Sequence, residues 1–344
     1  MGSNSKHKHP IGQQPRWFSR AGFRTGRARA ITGIDESHEE LLARIGRDYY
    51  LNNLSKVEIA RTCGISRFQV ARYLEEARAL GIVRIDIRVP AAASGGAEPV
   101  RLAAALGIEQ VRITSTGPDA RTTRESMAQA AAEELMAAVF DGAAVGMSWS
   151  RTLDLAAGHV TALPPCSIVQ LAGALPVPGS GNSLELIQNL GRHDGVETWP
   201  LWAPLVVDNA ATAQSLRGQP EIAETLARAD ALDVAVVAVG AWQPGLSTVW
   251  DRVDNRVRLA AARAGAVAEC SGRLLDAAGK PVESELNSRV VAVTIEQLQH
   301  TPRVIAVAQG AARAEAVRAV LAAGFVTTLL VDQELAAALS DNAV

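Results

Sequence analysis

Five apolar, largely β-branched runs recur between Gly142 and Asp332: GAAVGM, SIVQLAGA, DVAVVAVGA, RVIAVAQG and VTTLLVD. None alternates cleanly with polar residues, as a strand with one wet face would. Strands buried on both faces belong to a parallel sheet, and alanine-rich stretches such as TRESMAQAAAEELMAAVF supply helices to cover it. The pattern predicts an α/β domain with a Rossmann-like parallel sheet over residues 99–344. With 48% apolar residues the chain has ample material for such a core. No apolar run approaches the ~20 residues that span a bilayer, so no membrane association is expected, and the basic, polar leader lacks the apolar stretch of a signal peptide. Cys63, Cys166 and Cys270 stand far apart, with neither metal-ligand spacing nor a disulfide framework. A cytoplasmic protein without metal or cofactor is expected.

The net charge of −2 conceals an asymmetry: residues 1–90 carry 16 Lys and Arg against nine Asp and Glu. Positive charge gathered at one end suits a polyanionic partner. Residues 1–34, with seven Lys and Arg and no acid, read as a basic flexible arm. From His38, Leu41, Leu42, Ile45 and Tyr49 recur at helical spacing. Next comes SKVEIARTCGISRFQVARYL, residues 55–74. Ser55 and Glu58 form a capping-box signature, Gly64 suits a left-handed helix end, and Ser66 caps a second helix. Val70, Tyr73 and Leu74 face inward, which leaves Ser66, Arg67, Phe68, Gln69 and Arg72 outward. The first turn of such a helix enters the major groove, where Arg pairs with guanine and Gln with adenine. Ser55, Ser66, Arg67, Phe68, Gln69 and Arg72 are therefore the candidate DNA-binding residues. Alternation over Ile82–Val89 predicts a wing strand, completing a winged helix-turn-helix over 35–90. PAAASGGAEP lacks periodicity and reads as a linker over 91–98.

SRFQVARYLEEARALGIVRIDI resembles the winged helix-turn-helix of the SorC branch of DeoR-like sugar-responsive regulators. The similarity continues through GMSWSRTL, RLLDAAGKPVESELNSRVVAV and VIAVAQGAARAEAVRAVLAAGFVTTLLVD, covering about residues 38–339. The resemblance implies an effector domain similar to sugar-phosphate isomerases and deaminases, put to use as a sensor for a sugar, polyol or sugar phosphate. It also implies a homo-oligomer that presents paired reading helices to a double-stranded operator.

Four strands are expected to end in small-residue turns at Val145-Gly146, Leu171-Ala172-Gly173, Val239-Gly240 and Ala308-Gln309-Gly310, lining the crevice where open parallel sheets bind ligands. Ser148, Ser150 and Thr152 offer hydroxyls at a helix start suited to phosphate, though plain helix capping accounts for them equally. Arg313 in the next turn would clamp a phosphate or hold a hydroxyl, or be a surface arginine. Trp149 and Trp242 stand beside these turns, as stacking platforms or as core aromatics. By resemblance the effector site takes in Ser148, Trp149, Ser150, Arg151, Thr152, Gly173, Asn182, Glu269 and Arg313, and the strand-end turns add Gly240, Gln309 and Gly310. This chain departs from the family in two places. Gln309-Gly310 followed by Arg313 replaces a Gly-Gly and lysine, and Ser150 replaces a glycine. An arginine forms no Schiff base, and both changes point to an altered effector, such as a non-phosphorylated sugar or polyol. The rival reading is an enzyme, a sugar-phosphate isomerase or deaminase fused to a DNA-binding module, with Asp154, Glu269 or Asp332 as general base, but none is matched with a His or Lys in an acid–base constellation.

Overall fold

A computed structural model describes residues 37–83, 97–175 and 181–341. The chain divides into two compact units between residues 88 and 89. The first holds three helices, α1 (His38–Tyr50), α2 (Lys56–Cys63) and α3 (Arg67–Ala79). Each opens on a complete capping box: Ser37 with Glu40, Ser55 with Glu58, and Ser66 with Gln69. Each box satisfies two backbone donors that helix geometry leaves unpaired. Gly64 ends α2 with φ 67°, the left-handed region open to glycine. Ile45, Ile59, Ala60, Val70 and Leu74 form the core shared by the three helices. The expected wing lies outside the described residues from Arg84 onward. Ile82 and Val83 precede it without strand structure.

The second unit is built on one sheet. Its strands are β1 (Gln110–Thr114), β2 (Ala144–Met147), β3 (Cys166–Gln170), β4 (Val196–Trp199), β5 (Val234–Ala241), β6 (Ala268–Cys270), β7 (Arg273–Leu275), β8 (Arg303–Ala308) and β9 (Thr328–Asp332). The order is β1-β9-β8-β5-β2-β3-β4 with every pairing along that path parallel, and β6 and β7 extend β5 as an antiparallel hairpin. The two faces separate by strand periodicity. Ala235, Val237, Val304, Ala306 and Leu329 enter one buried cluster; Val234, Val236, Ile305, Val307 and Leu330 enter the other. Both faces are dry, which is why these strands read as continuous apolar runs.

Three expectations need correction. Val145-Gly146 and Val239-Gly240 are not turns, because β2 runs on to Met147 and β5 to Ala241. Gly146 is small for packing: a Cβ there would lie 2.7 Å from Leu171 Cδ2 and 2.8 Å from Leu232 Cδ1. The linker expected over 91–98 falls outside the described residues through 96, and Ala97 and Glu98 already belong to the helix Ala97–Leu106. Pro99 sits in that helix's first turn, where its missing N–H costs nothing. Among the described residues, no helix is long and apolar enough to cross a membrane.

Gly146→Val forces two packed leucines aside. A loss of about 1–3 kcal/mol of stability is expected for such overpacking, read from urea unfolding of the full chain.

Candidate functional site

The chain passes from β2 to its neighbour β3 on one side, and from β5, by way of the β6–β7 hairpin, to its neighbour β8 on the other, in opposite directions across the sheet. Divergence of neighbouring parallel strands opens a crevice at their carboxyl ends. A cavity of about 510 Å³ lies there. Eleven of the twelve expected effector residues line it: Ser148, Trp149, Ser150, Arg151, Thr152, Gly173, Gly240, Glu269, Gln309, Gly310 and Arg313. Asn182 does not. Its carboxamide oxygen caps the helix Ser183–Leu190 by accepting from the N–H groups of Leu184 (2.9 Å) and Glu185 (3.1 Å). Trp242 is also absent from the lining; it is buried, donates from Nε1 to the Arg258 carbonyl at 3.2 Å, and packs edge-on against Trp250.

One wall comes from β2 and the helix Arg151–His159. Ser150 caps that helix, its Oγ accepting from Leu153 N–H at 3.1 Å. Opposite, a Cβ at Gly173 would come within 2.7 Å of the backbone at Ala203, Pro204 and Leu205, so a bulkier residue would push the wall apart. The β6–β7 hairpin closes a further side through a two-residue turn. Ser271 (φ 50°) and Gly272 (φ 80°) both adopt the left-handed conformation such turns demand. Gly272 donates its N–H to Glu269 Oε1 at 2.6 Å, and Ser247 Oγ lies 3.1 Å from Glu269 Oε2. Desolvation pushes the Glu269 carboxyl above the usual range, against the lowering effect of these two hydrogen bonds.

Three arginines gather on the other side. Arg151 and Arg313 were expected; Arg124, from the helix Ala120–Ala138, was not. Arg313 donates from Nη1 to the Gln309 carbonyl (2.6 Å) and from Nη2 to the Leu246 carbonyl (3.2 Å). Burial, then the positive charges of Arg151 and Arg124, lower its pKa, with Asp332 opposing. Burial and Arg151 likewise lower that of Arg124. Among the described residues none of the three forms an ion pair. Asp332 is already engaged, accepting from Gly310 N–H at 2.9 Å and Leu335 N–H at 3.2 Å. Asp119 caps the helix carrying Arg124. That Asp-x-x-Thr start after VRIT was the available sign that Arg124 stands near the rim. No sequence pattern marked Ser247 or Ser271.

On α3, the guanidinium of Arg67 lies 4.8 Å from the Phe68 ring centroid, and Phe68 is 72% exposed. Arg72 lies 5.5 Å from the Tyr73 ring. Ser55, Ser66 and Gln69 are engaged in the capping boxes, Gln69 Oε1 accepting from Ser66 N–H at 3.0 Å. They fix the starts of α2 and α3, while Arg67 and Arg72 lie against the neighbouring rings.

The sequence model of the sugar-binding domain family matches residues 98–340. The transcriptional regulator LsrR of Klebsiella pneumoniae is 28% identical over 316 residues, 89% of this chain and 94% of its own. The deoxyribonucleoside regulator of Bacillus subtilis is 26% identical over 315 residues, 90% of this chain and 100% of its own. The full-length sorbitol operon regulator SorC from Klebsiella pneumoniae has a similar fold, with TM-score 0.66 and 18% identity over 88% of this chain and 98% of that one.

The raised Glu269 pKa makes a signed prediction. A carboxyl that binds its proton more tightly folded than unfolded favours folding at low pH, and this contribution is lost as pH rises through the folded-state value. Between the ordinary value of 4.5 and that higher value, the wild type should lose stability relative to Glu269→Gln. Urea midpoints measured across that range test this; parallel pH profiles for the two proteins would refute it.

Proposed function

The chain belongs to the sugar-binding domain family of SorC- and DeoR-like regulators, and from that premise we propose that it is a transcriptional regulator whose operator affinity is set by a phosphorylated sugar or polyol. The observation that carries the phosphate is the cluster of Arg124, Arg151 and Arg313, which converge on one cavity without an ion pair among the described residues, Asp332 acting on Arg313 only as the smallest of the influences on it. Gathering like charges is costly unless an anion joins them. The helix start at Arg151 adds N–H groups and a positive dipole end. Across the cavity Glu269, Ser247 and Ser271 offer the donors and acceptors that carbohydrate hydroxyls require. The cavity of about 510 Å³ accommodates a sugar phosphate.

In this reading residues 35–90 bind DNA, and 99–344 sense the effector and assemble the oligomer. Arg67 and Arg72 contact the operator, with Phe68 beside them on the exposed start of α3. A two-fold assembly presents two such helices to a palindromic site. The effector shifts DNA affinity by binding one arrangement of the protein better than the other, with coupling of order 1–3 kcal/mol. The setting is the cytoplasm, where operators and phosphorylated sugars meet.

Binding without turnover is favoured by the chemistry on hand. Burial raises the Glu269 pKa, Asp332 is committed to backbone donors, and the cavity lining holds no His or Lys among the described residues to complete an acid–base set. Product formation from sugar phosphates incubated with the protein would refute it.

Arg67→Ala is expected to weaken operator binding across sequences and to lower the salt slope by about 1, as for one lost phosphate contact. Unchanged affinity and slope would remove α3 from the interface. Arg124→Ala and Arg151→Ala should each weaken a sugar phosphate at least tenfold, with DNA affinity in its absence unaltered. Calorimetric titration in parallel with operator binding reads both.

A further inference from the structure

A second cavity, of about 580 Å³, shares no lining residue with the first. Arg217, at the end of the helix Ala210–Arg217, and Arg273, on β7, both face it. Arg273 donates to three carbonyls: from Nε to Val293 (2.9 Å), from Nη1 to Asn287 (3.1 Å) and from Nη2 to Ala292 (2.7 Å). Arg217 Nη2 lies 3.0 Å from the carbonyls of Ser288 and Val290, while its buried Nε–H has no partner among the described residues. Burial and the nearby Arg217 charge lower the Arg273 pKa to about 10, so it remains a cation at neutral pH, and no carboxylate counters either effect. Neutral carbonyls satisfy donors but do not cancel charge. Two half-buried cations therefore share a cavity that lacks a negative charge, with Gln214 and Thr294 among the polar groups around them.

We propose that this cavity is a second anion site, taking inorganic phosphate or the phosphate group of a small ester. It backs onto the effector cavity through a single layer of chain. Gly272 lines the first cavity and Arg273 the second. Ala172, on the effector side, pairs with Ala292, whose carbonyl receives the Arg273 hydrogen bond. Gly173 N–H donates to the Val291 carbonyl at 3.0 Å. An anion held by Arg273 thus touches the backbone that shapes the effector wall.

The test is thermal unfolding of the full-length protein titrated with inorganic phosphate and, separately, with glucose 6-phosphate. Wild type, Arg151→Ala, Arg217→Gln and Gln214→Glu are compared. Gln214 is exposed and three residues from Arg217 on one helix, so a carboxylate there provides an internal counter-ion without disturbing the core. The site predicts that Arg151→Ala retains a phosphate-dependent rise in Tm. Gln214→Glu should melt higher than wild type without phosphate, and its apparent phosphate affinity should fall at least tenfold. Arg217→Gln, if it folds, should lose the same response. In the Arg151→Ala background, equal responses to both ligands identify the free anion as the occupant, and a larger response to glucose 6-phosphate identifies an ester. The proposal is overturned if wild type shows no response, if Arg151→Ala removes all of it, or if Gln214→Glu leaves phosphate affinity unchanged. None of these outcomes alters the effector-linked DNA binding tested above, so the two readings stand or fall separately.

Discussion

The pairing of β2 with β5 is the constraint on which the second unit turns. Only three residue pairs join them, Val145 with Val234 through Met147 with Val236, yet this seam is where the chain's course across the sheet reverses. It must be thin enough for Leu171 and Leu232 to close over it, hence Gly146. The cavity at the strand ends is built around that seam: the helix start after β2, the hairpin appended to β5, and the turn after β8 that Asp332 pins through Gly310.

Charge is managed differently in different parts of this unit. Arg112 on β1 meets both Glu133 and Glu134, and Arg303 reaches Glu134 at 3.8 Å. That network is self-contained, and half-buried guanidinium groups there have carboxylate partners. At the sheet's rim the chain places Arg124, Arg151 and Arg313 together without an ion pair among the described residues, the one opposing charge on Arg313 being that of Asp332. The contrast separates arginines that hold the fold from arginines held ready for something else.

Much of the sheet was legible because double burial leaves an unmistakable signature in DVAVVAVGA and RVIAVAQG. The short β4 and the hairpin strands β6 and β7 were not, since three or four residues such as Ala268-Glu269-Cys270 carry no periodicity. The rim residues after β2 and β8 could be read from their place behind apolar runs. Arg124 could not, because an arginine in a polar helical stretch looks the same whether it faces solvent or a cavity. Asn182 illustrates the opposite error. An Asn before an amphipathic helix has a local use as a cap, and the local use is the one observed. Ser66 was legible as the cap of α3, whereas Gln69 was placed on its outward face and its return bond to Ser66 N–H was not.

The hydrogen bonds of Arg313 have a consequence for discrimination among metabolites. Its guanidinium donates to the carbonyls of Gln309 and Leu246. A newcomer bearing only hydroxyls would exchange one neutral acceptor for another and gain little, whereas a dianion makes the stronger charge-assisted bond. The backbone thus acts as an internal competitor for any ligand that approaches this guanidinium.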